Sequence, residues 1–195
     1  MREVMPGVLT GIPETLLNIS NMPLANFQTH RLWTWQHKDD KAWWQSIVDY
    51  GNGEFEHPFL TLIGKPGTGK THLAQSIAWQ WLERGRTVFY NHVVELLDRM
   101  RDSYRLEHYK PILTDFAKNA ALLILDDLGS EKLTEWAGQE LDFIVDHRYE
   151  HGKPLIVTSN LAITQLPDRV ADRLAEGMII VLKGESFRKR KGGLK

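Results

Sequence analysis

At 195 residues, with 42% hydrophobic and 25% charged side chains and a formal net charge of -1, the chain has the make-up of one folded domain, not of a disordered or fibrous protein. It has no cysteine, which removes disulfides, thiolate metal sites, iron–sulfur clusters and cysteine nucleophiles together. Residues 1–7 mix charges with Pro6 and Gly7, and no later apolar run approaches a membrane span, so a cytoplasmic protein without membrane contact is expected.

Between Val4 and His30, isolated apolar residues stand among Pro6, Gly7, Gly11, Pro13 and Pro23. This predicts an extended, turn-rich lead-in over residues 1–30, ahead of a domain over 31–187. Trp33, Trp35, Trp43, Trp44, Ile47 and Val48 approach helical spacing around an Asp39-Asp40 start signal, and Gly51-Asn52-Gly53 stops them. Aromatics this dense suit base stacking or a satellite cluster covering the core, and the second is the favoured reading.

Strand and helix signals alternate from there. Phe59 to Ile63 is a short apolar run ending in a glycine loop, and Thr71 to Glu83 carries Leu73, Ile77 and Trp81 at helical spacing up to Gly85. Thr87 to Asn91 predicts a second strand, Val93 to Tyr104 an amphipathic helix, and Pro111 to Asn119 a short helix. Ala121 to Leu125 is wholly apolar, as a strand buried on both faces must be. Thr134 to Glu150 predicts a helix, Leu155 to Ser159 a fourth strand, Asp168 to Ala175 a helix and Met178 to Leu182 a fifth strand. Five strands separated by helices imply an α/β fold with a five-stranded parallel sheet between two helical layers.

Gly64-Lys65-Pro66-Gly67-Thr68-Gly69-Lys70-Thr71 matches G-x-x-x-x-G-K-[ST] and lies between the first strand and a helix, the context its mechanism needs. Gly64, Pro66, Gly67, Thr68 and Gly69 would wrap backbone N–H groups around phosphates at a helix N-terminus. Lys70 would neutralise the β- and γ-phosphates of ATP, and the Thr71 hydroxyl would ligate Mg2+.

Leu122 to Leu125 ends abruptly in Asp126-Asp127, the Walker B arrangement. Asp126 would serve Mg2+ and Asp127 the attacking water; the bland alternative for Asp127 is a turn or cap. Thr158-Ser159-Asn160 closes the fourth strand with polar groups. If that strand lies between the first and third, Asn160 contacts the γ-phosphate or the lytic water; otherwise it is plain turn chemistry. Arg169 and Arg173, four apart, share a helix face. Either would reach a neighbouring copy's nucleotide, making hydrolysis depend on self-association through the nucleotide sites, or both simply face solvent. Arg188, Lys189, Arg190, Lys191 and Lys195 make 188–195 a basic tail, suited to phosphate backbones or an acidic partner, or merely solvated.

These motifs, with Gly11-Ile12-Pro13, Asn26-Phe27, His72-Leu73-Ala74 after the phosphate loop, and Asp172-Arg173-Leu174, resemble AAA+ ATPases of the DnaC/DnaI helicase-loader family, with the IstB transposition helpers as close kin. The resemblance covers most of the chain. It implies a P-loop NTPase fold of AAA+ type without a helical lid, as in the loaders, and adds Phe27, His72 and Arg188 to the nucleotide-binding set. Arg188 falls in Ser186-Phe187-Arg188, which resembles the family's second sensor. It also implies Arg173 as the finger donated in trans, and a loader insertion over roughly 98–116 bordering a groove for single-stranded DNA. The implied activity is slow, assembly-dependent ATP hydrolysis in DNA replication, with single-stranded DNA and a replicative helicase as partners. The lead-in leaves no room for the separate folded region by which loaders grip that helicase. A transposition helper ATPase, or a nucleotide-dependent DNA-binding switch with negligible hydrolysis, is the alternative.

Overall fold

The computed structural model describes residues 12–23, 41–103, 115, 117–129, 134–184 and 186–187. Phe27, Trp33, Trp35, Asp39, Asp40 and the basic tail with Arg188 lie outside the described residues, as do 104–114 and 116 of the expected loader insertion.

Two helices precede the sheet. Helix α1 (Glu14–Ser20) falls within the segment expected to be extended, and corrects that expectation for these residues. Pro13 begins it, its fixed φ fitting a helix start, and Asn21 ends it in the left-handed conformation. Its sequence weight is small, so tertiary burial supports it: Ile12, Leu17 and Met22 all enter the main core. Helix α2 (Lys41–Asn52) carries Trp43 and Trp44, which pack partly buried against that core, so for these two the covering role is the correct one.

The strands are β1 (Phe59–Gly64), β2 (Val88–His92), β3 (Leu122–Leu128), β4 (Leu155–Ser159) and β5 (Met178–Leu182). All pairings are parallel, in the order β2-β3-β4-β1-β5. The intervening helices are α3 (Lys70–Glu83), α4 (Val93–Ser103), α5 (Glu135–Glu150) and α6 (Asp168–Ala175), each within a residue of its expected bounds.

Because side chains alternate along a strand, each strand feeds two cores. Leu60, Leu62, Val88, Leu122, Ile124 and Ile156 meet α1, α2 and α3 on one face. Phe59, Phe89, Leu123, Leu125, Leu155 and Val157 meet α4, α5 and α6 on the other. The result is the expected three layers. A parallel sheet also delivers all strand C-termini to one rim, and there β4 stands between β1 and β3.

Candidate functional site

The loop from β1 to α3 is shaped by its glycines. Gly67 and Gly69 have φ of 82° and 98°, the left-handed region that a side chain makes costly. Thr68 fastens the turn, its N–H and Oγ1 donating to the Lys65 carbonyl at 3.3 and 2.9 Å. Gly69 is the N-cap of α3 and brings no capping side chain. The opening N–H groups of a helix have no intrahelical acceptor, so this terminus is built to receive an anion. His72 follows in the first turn of α3.

Lys70 is 6% exposed, and its ammonium donates to Gly64 O at 2.7 Å, Lys65 O at 3.1 Å and Asn160 Oδ1 at 2.7 Å. The Asn160 amide donates in turn to Asp127 Oδ1 at 2.7 Å. One side chain at the end of β4 therefore bridges the loop lysine and the second acid, as its position between β1 and β3 requires.

The two acids of β3 are treated differently. Asp126 is fully buried. Its Oδ1 accepts from Thr71 Oγ1 at 2.9 Å and Thr158 Oγ1 at 2.6 Å, and its Oδ2 from the Tyr90 hydroxyl at 2.7 Å, with His92 Nδ1 3.3 Å away. Burial first, then the Asp126 carboxylate, push the Tyr90 phenol well above its usual range. It is a donor at any working pH.

Asp127 is half-exposed. Pairing between β3 and β4 passes from Leu125↔Val157 to Leu128↔Ser159, so β3 holds an extra residue there. Asp127 takes up the slack with φ 61°, its N–H donating to Thr158 Oγ1 at 2.9 Å. Strict alternation would send consecutive side chains to opposite faces; the bulge re-aims one. Asp126 consequently faces Thr71 at the loop, and Asp127 faces Asn160.

The donor set fits Mg2+. Thr71 and Asp126 offer hard oxygens side by side at the phosphate loop, and Mg2+ takes one or two such ligands while water and phosphate oxygens complete its shell. Among the described residues no group of three or more His, Asp or Glu forms a self-contained metal cage.

Lys70, Thr71, Asp126, Asp127 and Asn160 are thus brought together. Arg173 is not: its Nε donates to Asp146 Oδ1 of α5 at 2.9 Å, and its guanidinium stacks 4.3 Å from the Tyr149 ring. Arg169 pairs with the same Asp146 at 3.2 Å. The segment before Arg188 does reach the loop, since the Phe187 N–H donates to Gly67 O at 2.9 Å and a Cβ on Gly67 would collide with Ser186 Oγ.

Three participants escape a reading by motif: Tyr90, Gln75 and His92. Gln75 Nε2 donates to Tyr90 Oη at 2.9 Å. The available signal is Gln75 amid the apolar residues of α3, together with the polar finish Tyr90-Asn91-His92 of a strand that ends at the same rim.

Comparison with known proteins adds the following. The family model for IstB-like ATP binding protein matches residues 56–193. The replicative helicase loader DnaC of Escherichia coli (strain K12) is 32% identical over 150 residues, 72% of this chain and 61% of that protein. A protein of insertion sequence IS5376 from Geobacillus stearothermophilus, named for ATP binding, is 33% identical over 141 residues, 67% of this chain and 55% of that one. The chain therefore spans little more than half the length of these relatives. Among solved structures, the DnaC helicase loader superposes with a TM-score of 0.68 at 25% identity, covering 79% of this chain and 97% of that one. AMPPCP-bound DnaA from Aquifex aeolicus gives 0.72 at 21% identity, over 83% of this chain and 53% of that one, a likeness of fold. The five-stranded parallel sheet is of the AAA+ P-loop type.

Proposed function

Since the chain belongs to the family of IstB-like ATP binding proteins, we propose that it binds ATP with Mg2+ at the rim described above and hydrolyses it slowly, as a DNA-replication accessory factor resembling the helicase loaders. The observation that carries this is the Lys70–Asn160–Asp127 chain of hydrogen bonds beside the Thr71–Asp126 pair.

Each side chain has a distinct task. The Lys70 ammonium, now held by two carbonyls and an amide, exchanges those neutral acceptors for phosphate oxygens, a charge-assisted gain. Glycine-loop and helix N–H groups hold the β-phosphate side. Thr71 and Asp126 hold the metal, which when bound shields the charge on the β- and γ-phosphates. The half-exposed Asp127 carboxylate orients a water toward the γ-phosphate, with Asn160 fixing that carboxylate by its amide. Arg173, 33% exposed on its side chain, is the candidate to reach a neighbouring copy's nucleotide. To do so it must leave Asp146, so turnover should rise with assembly. Ser186 and Phe187, against Gly67, support a nucleotide contact from Arg188, and Phe27 is assigned to the base side by resemblance alone.

The test is ATP binding and phosphate release by the full chain, with and without single-stranded DNA. Lys70→Ala should lose ATP binding. Asp127→Asn should retain binding and lose turnover by about a hundredfold or more. Undiminished turnover in Asp127→Asn would turn the reading toward a nucleotide-dependent DNA-binding switch. The likeness to the IS5376 protein favours a second reading, a transposition helper with the same chemistry. Co-purification with a replicative helicase or with a transposase separates the two.

A further inference from the structure

We propose that Tyr90 is a positioning residue for Asp126, and that Gln75 supports the Tyr90 hydroxyl in that role by donating to its oxygen. The inference rests on the ATP–Mg2+ reading above and extends it to two side chains outside the loop and the acidic strand end.

The geometry leaves the hydroxyl one arrangement. A phenol has one hydrogen to give and lone pairs to receive with. Tyr90 Oη lies 2.7 Å from Asp126 Oδ2 and 2.9 Å from Gln75 Nε2. Asp126 as an anion only accepts, so the hydroxyl hydrogen goes to it. Gln75 must then present its amide N–H, since its carbonyl would set two lone pairs against each other. His92 also faces the hydroxyl, its Nε2 3.5 Å away. The chain of donors runs from α3 through β2 to β3.

Its consequence concerns rotation of the Asp126 carboxylate. Tyr90 holds Oδ2, while Thr71 and Thr158 hold Oδ1. With Oδ2 pinned toward β2, Oδ1 stays on the phosphate-loop side beside Thr71. Without that anchor Oδ2 keeps only the longer 3.3 Å approach of His92 Nδ1 among the partners described, so the oxygen nearest the metal position is held less firmly. Outer partners of metal-binding carboxylates work in this way, and their loss is costly in metal affinity. Packing alone does not call for these polar groups. Gln75 and Tyr90 are 3% and 4% exposed, and on the side that faces the apolar core Leu and Phe would fill nearly the same volume without burying an amide and a hydroxyl. The Tyr90 main chain is anchored as well, its carbonyl accepting from Asn21 Nδ2 at 3.0 Å.

The experiment compares full-length wild type, Tyr90→Phe, Gln75→Leu and the double variant by binding of a fluorescent ATP analogue, first in EDTA and then along a Mg2+ titration. Affinity in EDTA should match wild type in every variant. The Mg2+ concentration giving half of the Mg2+-dependent gain should rise about tenfold in Tyr90→Phe and less in Gln75→Leu. The double variant should equal Tyr90→Phe alone, because the proposed route from Gln75 to Asp126 runs through the hydroxyl. Melting temperature without Mg2+ serves as the folding control, and Gln75→Leu, which leaves Tyr90 intact, carries the comparison if Tyr90→Phe does not fold. An unchanged Mg2+ dependence in folded Tyr90→Phe overturns the assignment while leaving the ATP reading intact. Wild type that gains no affinity from Mg2+ overturns both.

Discussion

Asp127 sits at φ 61°, a conformation that Asn, Asp and Gly reach more cheaply than other residues and β-branched residues avoid. The conformation is over-determined: Thr158 receives its N–H and Asn160 holds its carboxylate. Asp127→Asn and Asp127→Gly should therefore leave the urea midpoint nearly unchanged, whereas Asp127→Val should cost about 1–2 kcal/mol of stability. Equal midpoints for all three would show that the bulge relaxes freely. At this scale the sequence was most informative where chemistry lies in contiguous residues. Lys70, Thr71 and the two acids stand in short patterns whose spacing encodes their role. Asn160 was legible only on condition of a strand order, which β4 satisfies. Tyr90 and Gln75 were not legible, because their meaning comes from a contact between a helix and two strands that no local pattern records. The left-handed turn of Asp127 was hidden for the same reason, since it answers a register shift against β4.

Helix α5 is the element whose sequence says least about its work. Thr134 caps its start through the Ala137 N–H at 3.3 Å, as expected of a threonine there. Near its end, the fully buried Arg148 donates to the carbonyls of Ala117, Lys118, Ala120 and Pro154 at 2.8, 3.1, 3.0 and 2.6 Å, tying α5 to the approach to β3. Burial pulls that guanidinium down to about 10, which leaves it charged at neutral pH. Beside it, His147 and His151, a turn apart from each other, stack their rings 4.2 Å apart. Desolvation chiefly, then His151, Lys118, Lys153 and Arg148, hold His147 below its ordinary 6.5. The unfolded chain therefore binds the proton more readily than the folded one. This contribution to stability is whole above about pH 6.5 and is lost as pH falls from there through the lower folded value. His147→Gln should flatten the fall in urea midpoint between about pH 6.5 and pH 5, and an unaltered slope would assign that fall to other groups. Element α1 was missed because its seven residues carry too little periodicity to stand out among prolines and glycines, and their helix depends on the sheet they land on.

Seen whole, the sheet has two unlike edges. On the β2 side α1 packs close, with Asn21 donating to Tyr90 O and Asn91 Oδ1 at 3.0 and 3.1 Å. On the β5 side Ile179 and Val181 are 41% and 54% exposed. Removing residues 1–23 should uncover Ile12, Leu17 and Met22's share of the core and cost about 6 kcal/mol, from roughly 2 kcal/mol for each buried side chain. Thermal melting of the shortened chain checks this, and an unchanged melting temperature would mean that α1 is dispensable. The alternation of strands and helices made the three layers legible in advance, since period-two and period-3.6 patterns report burial directly. The order of strands was not, because pairing partners are distant in sequence. That order has a consequence for biosynthesis. Strand β1 is made before β2 and β3, yet its neighbours on both sides, β4 and β5, are made after them. The glycine loop accordingly stays beside an unzipped strand until β4 has been made, and an interrupted polypeptide that stops before Leu155 has the loop and both acids yet no rim on which to hold a triphosphate.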